Sequence, residues 1–311
     1  MTEKRDHGGG LDAAIAKYGG SRGEWLDLST GINPAPYPMP TLPKDAWTAL
    51  PDEAAFERLY ALARRLWNVP DEAAIIGATG ASAIIAALPR VIPRGEVCIP
   101  GPTYNEHGAA FAASGWRLGQ DPSHALVAVH PNNPDGHIWK VSDFEAAYTV
   151  IDESFCDIAP DQSLIHLASR PGTVVLKSFG KFWGLAGLRL GFAIGDPAII
   201  TKLTDLLGPW QISGPALAIG AEALADPAWA DETRQRLDRD TARLDALLTK
   251  NGAELVGGTT LFRLYKVEDA KAAQDRLAKH YVWSRVFPYA PDWLRLGLPA
   301  PERWAQLEAA F

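Results

Sequence analysis

Between residues 74 and 195, short β-branched or apolar runs alternate with stretches of helical periodicity, and that alternation restricts the fold more than anything else in the chain. Residues 74–77, 96–99, 126–130, 148–152, 173–177 and 190–194 read as strands. Residues 53–67, 81–88 and 105–114 read as helices, the first with Phe56, Leu59, Tyr60, Ala63 and Leu66 at helical spacing. Strands and helices taken in turn bury each other as an α/β fold, with a mostly parallel central sheet between helices. Beyond Gly195 the pattern changes. Helical stretches at 197–207, 215–225 and 231–250 lead into strand-like runs at 259–267, 281–287 and 293–298, which predicts a smaller α+β domain. The first forty residues are rich in glycine and proline. The expected organisation is a large domain over 44–207, with an N-terminal arm at 1–43 and a small C-terminal domain at 208–311.

Charge and cysteine usage narrow the partners. A net charge of −7, with no basic run, argues against a nucleic-acid-binding face. The charged stretch 231–243 reads as a solvated helix face. Cys98 and Cys156 lie in apolar, strand-like runs without partner spacing, so they read as buried free thiols in a reducing cytoplasm. The opening residues hold no apolar export core, and no apolar stretch approaches the roughly 20 residues that span a bilayer. A cytoplasmic protein with no membrane or nucleic-acid partner, and no bound metal, is expected.

Polar residues gather where the expected strands end, which is where open α/β sheets place their ligands. Gly77-Ala-Thr-Gly-Ala-Ser82 joins strand to helix with side chains small enough for backbone N–H groups to reach an anion, although such turns are often only turns. It is neither a Walker loop nor a dinucleotide fingerprint. Tyr104 offers a ring on which a flat cofactor can stack, or simply caps the sheet edge. Asn133 could donate to a phenolate oxygen, or cap its own turn. Asp152 ends an apolar strand, where a carboxylate is costly without a cationic partner. That partner is either a protonated pyridine nitrogen or a structural cation. The run 174–192 brings the hydroxyl of Ser178, the amine of Lys181 and the guanidinium of Arg189 around one turn. The trio suits an imine between Lys181 and pyridoxal phosphate, with Ser178 and Arg189 on the phosphate.

The order Gly/Ser turn, Tyr104, Asn133-Pro, Asp152, Ser178-x-x-Lys181, Arg189 resembles the pyridoxal-phosphate enzymes of the aspartate-aminotransferase superfamily, class I/II. The resemblance runs from about residue 26 to residue 298. It implies a fold type I, transferase-like architecture and a homodimer. It also implies that Lys181 is the Schiff-base lysine, that Asp152 partners the pyridine nitrogen, and that Asn133 contacts the ring hydroxyl. Tyr104 would stack on the ring, and Gly80, Ala81, Ser82, Ser178 and Arg189 would cradle the phosphate. Arg295, in Trp-Leu-Arg-Leu-Gly-Leu, matches the arginine that takes a substrate α-carboxylate, a role that suits a bidentate guanidinium.

Within the superfamily, His7-Gly8-Gly9, the segment Leu26 to Pro34 and the residues around Lys181 resemble the L-threonine-O-3-phosphate decarboxylases of cobalamin biosynthesis. That implies decarboxylation to (R)-1-amino-2-propanol O-phosphate, with Asn33 and His7 on the substrate. Phe155 agrees, since many related aminotransferases carry a tyrosine there. Arg263 and Arg285 join His7 as candidates for the substrate phosphate. Leu50 departs from the histidinol-phosphate aminotransferases, which place there a tyrosine that reaches the neighbouring subunit. The alternative implied is an aminotransferase of a phosphorylated amino acid, of the histidinol-phosphate type.

Other classes fit less well. Ser178-x-x-Lys181 also matches penicillin-recognising hydrolases, but their Lys-Thr-Gly element is missing and their serine opens a helix. His7 to Gly10 mimics an esterase oxyanion loop, yet no Gly-x-Ser-x-Gly elbow exists.

Overall fold

The six strands expected between residues 74 and 195, with a seventh at Arg117–Gly119, form one sheet in the computed structural model, which describes residues 5–311. The order across it is Ala74–Thr79, Leu190–Gly195, Thr173–Ser178, Tyr148–Asp152, Ala125–Val129, Glu96–Cys98 and Arg117–Gly119. Leu190–Gly195 runs antiparallel to both neighbours, and every other pairing is parallel. Central strands such as Ala125–Val129 are buried along their whole length, as a parallel sheet covered on both faces requires. One side of the sheet buries Ile76, Val127, Val150, Val174 and Leu176 with Ile84 and Leu88 of the helix Ala81–Val91. The edge strand Arg117–Gly119 is largely exposed and carries no apolar alternation, so its sequence did not announce it.

The helix Ala81–Val91 runs past its expected end at Leu88 and includes Pro89. Leu88, Pro89 and Val91 are buried, and the Pro89 carbonyl accepts the Trp116 indole N–H at 2.8 Å. Tertiary packing here outweighs the backbone bond that proline forfeits.

The chain clusters into two compact units. The larger comprises 37–133 and 137–231. Against the expected 44–207 it adds 37–43 and 208–231 and leaves out 134–136; the helix Gly214–Leu224 packs on Glu53–Trp67. The smaller comprises the described residues up to Pro36, with 134–136 and 232–311. Its antiparallel sheet has the order Arg285–Phe287, Ala290–Gly297, Phe262–Lys266, Glu254–Thr259. Leu26–Asp27 pairs in parallel with Val282–Trp283, beside a cluster of Tyr18, Trp25, Tyr281 and Trp283. Residues 134–136 lie against the strand Glu254–Thr259: Gly258 N donates to Asp135 O at 2.7 Å. A Cβ on Gly136, whose φ is +76°, would collide with the Gly258 carbonyl.

Cys98 and Cys156 are buried free thiols. Among the described residues no helix is long and apolar enough to cross a membrane.

Candidate active site

A cavity of about 320 Å³ lies in the larger unit where its parallel strands end. Tyr104, Asn133, Asp152, Ser178, Lys181 and Arg189 line it, as do Ala81 and Ser82 from the start of a helix. Strand geometry explains the convergence. Asp152 and Ser178 are the final residues of adjacent strands, and each faces the cavity from its strand terminus.

Asp152 is buried, with 3% of its surface exposed. Its Oδ2 accepts from His107 Nε2 at 2.8 Å, and its Oδ1 accepts from Ser154 N at 3.0 Å and Ser154 Oγ at 2.5 Å. Burial alone would raise the carboxyl pKa, but the bonds and charge from His107 and the bonds from Ser154 more than offset it, so the pKa lies below the ordinary carboxylate value. Asp152 is therefore an anion at neutral pH, and it needs no further cation to be one.

The helix Ala81–Val91 presents its first turn to the cavity without any side-chain cap. Uncapped N–H groups at a helix start favour an anion. Arg189 Nη2 donates to Ser82 Oγ at 2.9 Å, and Arg189 Nη1 to Ala186 O at 3.0 Å, which holds the guanidinium over the same end. Gly80 makes that approach feasible. Its φ of 80° and ψ of 157° lie in a region reserved for glycine, and a Cβ there would come within 2.5 Å of Arg189 Nη2.

Lys181 follows Ser178 in a turn in which Ser178 Oγ accepts from Gly180 N at 3.2 Å. Lys181 Nζ lies 5.1 Å from the centre of the Phe155 ring, on its face. Tyr104 precedes the helix Asn105–Ala113, with its ring edge-on to His107 at 6.1 Å.

These groups fit pyridoxal phosphate. The helix start with Ser178 and Arg189 suits a phosphate, a buried anion suits a protonated pyridine nitrogen, and an amine suits an aldehyde. Gly80→Ala is expected to weaken cofactor binding about tenfold, since the strained backbone costs roughly 1–3 kcal/mol and the Arg189 guanidinium must move. Titrating the apoprotein with pyridoxal phosphate and following the visible absorbance measures this.

Arg295, Asn33, His7, Arg285 and Arg263 belong to the smaller unit. Arg295 is buried and donates to the Ser29 carbonyl at 2.6 Å, with its guanidinium 5.1 Å from the Phe262 ring centre. Burial, then the neighbouring Arg285, lowers its pKa to about 9, which leaves it cationic at neutral pH. The register explains the neighbour, for Arg285 and Arg295 stand directly opposite on paired strands. Arg285 Nη2 is 2.7 Å from Asp6 Oδ2. Asn33 is buried, and its Oδ1 accepts from Arg236 and from Ala35 N. His7 is exposed. Arg263 is committed to a two-pronged pair with Asp245, at 3.0 and 2.8 Å. Leu50 is exposed in the larger unit.

His107 escaped the sequence reading. Its one signal is the spacing Tyr104-x-x-His107, which puts both on one side of a helix start. Buried His130, Glu153 and Cys156 have ligand atoms close enough to suggest a metal site. However, His130 uses Nδ1 to accept from Trp139 N and Nε2 toward the Gln162 carbonyl, and Glu153 is engaged by Lys177, Ser163 and Leu164. Both ring nitrogens of His130 are therefore already engaged by protein groups.

Comparison with known proteins agrees with this chemistry. Residues 117–310 match the family described as aminotransferase class I and II. The threonine-phosphate decarboxylase of Pseudomonas aeruginosa is 37% identical, over 98% of this chain and 97% of that one. Another threonine-phosphate decarboxylase, from a Sinorhizobium species, is 38% identical over 95% of this chain and 93% of its own. Among solved structures, the histidinol-phosphate aminotransferase of Sinorhizobium meliloti in complex with pyridoxal-5'-phosphate superposes with a TM-score of 0.81 at 18% identity, over 97% of this chain and 93% of that chain. That last likeness is one of fold.

Proposed function

We propose that this chain, which belongs to the aminotransferase class I and II family, is a pyridoxal-phosphate-dependent decarboxylase of L-threonine O-3-phosphate. One observation carries the chemistry: a lysine amine and a buried, ionised carboxylate line the same cavity. The substrate is supported by the two relatives similar over nearly their full length. The product is (R)-1-amino-2-propanol O-phosphate, a building block of cobalamin.

Pyridoxal phosphate, when bound, supplies an aldehyde and an electron-withdrawing ring that stabilises negative charge at the substrate Cα. Asp152 would keep the ring nitrogen protonated, and Asn133 would donate to the ring hydroxyl oxygen. Tyr104 would cover one ring face, while Gly80, Ala81, Ser82, Ser178 and Arg189 would hold the phosphate. Lys181 would carry the cofactor between turnovers and return a proton to Cα after carbon dioxide leaves. Phe155 presents no hydroxyl to the ring oxygen, which leaves that oxygen to Asn133. We assign the substrate α-carboxylate to Arg295, with Asn33 and His7 on the rest of the substrate. Arg285, which stands opposite Arg295 on the paired strand, suits this task better than Arg263, which Asp245 holds at two points. We also infer a homodimer in the cytoplasm, supported by the family resemblance and by the two buried, unbridged thiols.

Decarboxylation and transamination use the same cofactor site, and one incubation separates them. Protein loaded with pyridoxal phosphate is mixed with L-threonine phosphate and no keto acid. The expected outcome is continuing carbon dioxide release with the aldehyde form of the cofactor retained. Stoichiometric conversion to the amine form, without carbon dioxide, would instead identify an aminotransferase of the histidinol-phosphate type.

A further inference from the structure

The strands ending at Asp152 and Ser178 are neighbours, with Asp152 in register with Leu176. Side chains alternate along a strand, so the residue after Asp152 and the residue before Ser178 point away from the cavity. These are Glu153 and Lys177, both buried, with Lys177 Nζ 2.7 Å from Glu153 Oε2. Glu153 also accepts from Ser163 Oγ at 2.7 Å and from Leu164 N at 2.5 Å. Lys177 Nζ lies 3.3 Å from Asp157 Oδ1, and Asp157 Oδ2 accepts the Trp183 indole N–H at 2.9 Å. An unbroken line of polar contacts therefore runs from the strand end that carries Asp152 to a residue two places beyond Lys181.

The same segment is gripped by rings. Trp183 is stacked between Phe179, at 5.2 Å and 13°, and Trp229, at 5.4 Å and 14°. Phe179 and Trp183 are fully buried and flank Lys181 symmetrically in the chain, while Lys181 itself lines the cavity. Rings alone fix the depth of such a turn but resist sliding and in-plane rotation weakly. The indole N–H on Asp157 removes that freedom. One buried cation facing two carboxylates is also an expensive arrangement, and an apolar replacement of similar volume would often be as stable. What the charges add is direction.

We propose that Trp183, Asp157 and Lys177 are positioning residues that set the Lys181 amine relative to Asp152 from beneath the cavity floor. None of them touches the cavity; each acts through the segment that presents Lys181. The proposal rests on the pyridoxal-phosphate reading above.

Trp183→Phe keeps a ring in the stack and deletes the donor to Asp157. In the cofactor-loaded protein it is expected to lower kcat about tenfold with KM changed less than about twofold, because a small misplacement of a reacting group costs rate more than binding. The pH at which the bound cofactor changes its visible absorbance is expected to shift by about half a unit or more, since the electrostatic surroundings of the Lys181 nitrogen change. Asp157→Asn weakens the same link by removing charge while keeping an acceptor, and serves as a second arm if Trp183→Phe folds poorly. It should shift kcat in the same direction by about threefold. A lower melting temperature with unchanged kcat and an unchanged absorbance titration in these variants would reduce the network to a structural role. Absence of any borohydride-trappable absorbance on Lys181 in the unmodified protein is a different failure: it would remove the cofactor reading, and this proposal with it.

Discussion

Lys181→Ala is expected to lower turnover of L-threonine phosphate by about 10³-fold or more while leaving the protein folded, since in the proposed function it removes both a covalent anchor and a proton carrier. The side chain is only partly buried and lines a cavity, so its truncation opens no sealed void. The Phe179 and Trp183 rings that anchor the turn are untouched, and the melting temperature should move by no more than a few degrees. The measurement is carbon dioxide release beside borohydride trapping and peptide mapping. Unmodified protein should carry the reduced cofactor on the peptide containing residue 181, and the variant should carry none. A variant that retained a tenth of the activity would remove Lys181 from the chemistry and with it the whole functional reading.

Asp152→Asn should lower kcat by about 10²-fold or more, the usual effect of removing one preorganised electrostatic partner from a buried site. The substitution keeps shape and loses charge. Both His107 Nε2 and the Ser154 pair donate to Asp152, so an amide must turn its own NH2 toward one of them. A buried donor left facing a donor costs roughly 1–3 kcal/mol of stability. The sign of the pH dependence follows from the depressed carboxyl pKa. The native carboxylate contributes its full stabilisation above the unfolded carboxyl value of about 3.9, and loses it as pH falls through the lower folded value. The melting temperatures of protein and variant should therefore be well separated at neutral pH and approach each other below about pH 4. Equal separation across that range would show that Asp152 does not titrate as an anion held by His107 and Ser154.

Much of this was legible in residue order, and the rest was not for identifiable reasons. The strand Tyr148–Asp152 and the helix Glu53–Trp67 occupy the bounds expected of them, because both carry strong apolar patterns and are followed by polar residues, Glu153 and Asn68. Arg117–Gly119 was invisible because an edge strand needs no apolar face. Pro89 looked like a helix end, and only Trp116, 27 positions away, explains why it is not. The residues that line the cavity were legible because Asp152 and Ser178 end strands, Ala81 and Ser82 begin a helix, and Asn133, Lys181 and Arg189 lie in the turns beside them. Their supports were missed because they are joined across the chain: His107 meets Asp152 over 45 positions, and Lys177 meets Asp157 over 20. A lone acid at a strand end suggested a buried partner, and the fold supplies His107 Nε2 at 2.8 Å before any cofactor arrives.

In the chain, residues 134–136 interrupt the larger unit. They form a three-residue clip that belongs to the smaller unit yet is encoded in the middle of the larger one, immediately after Asn133. The backbone thus passes from one unit to the other more than once, and no single cut yields two complete pieces. A truncation that kept only the C-terminal part would leave the Gly258 amide without its Asp135 acceptor. Swapping either unit between homologues would have to carry this clip along, so the cofactor cavity and the arginine-bearing sheet are heritable only as a set.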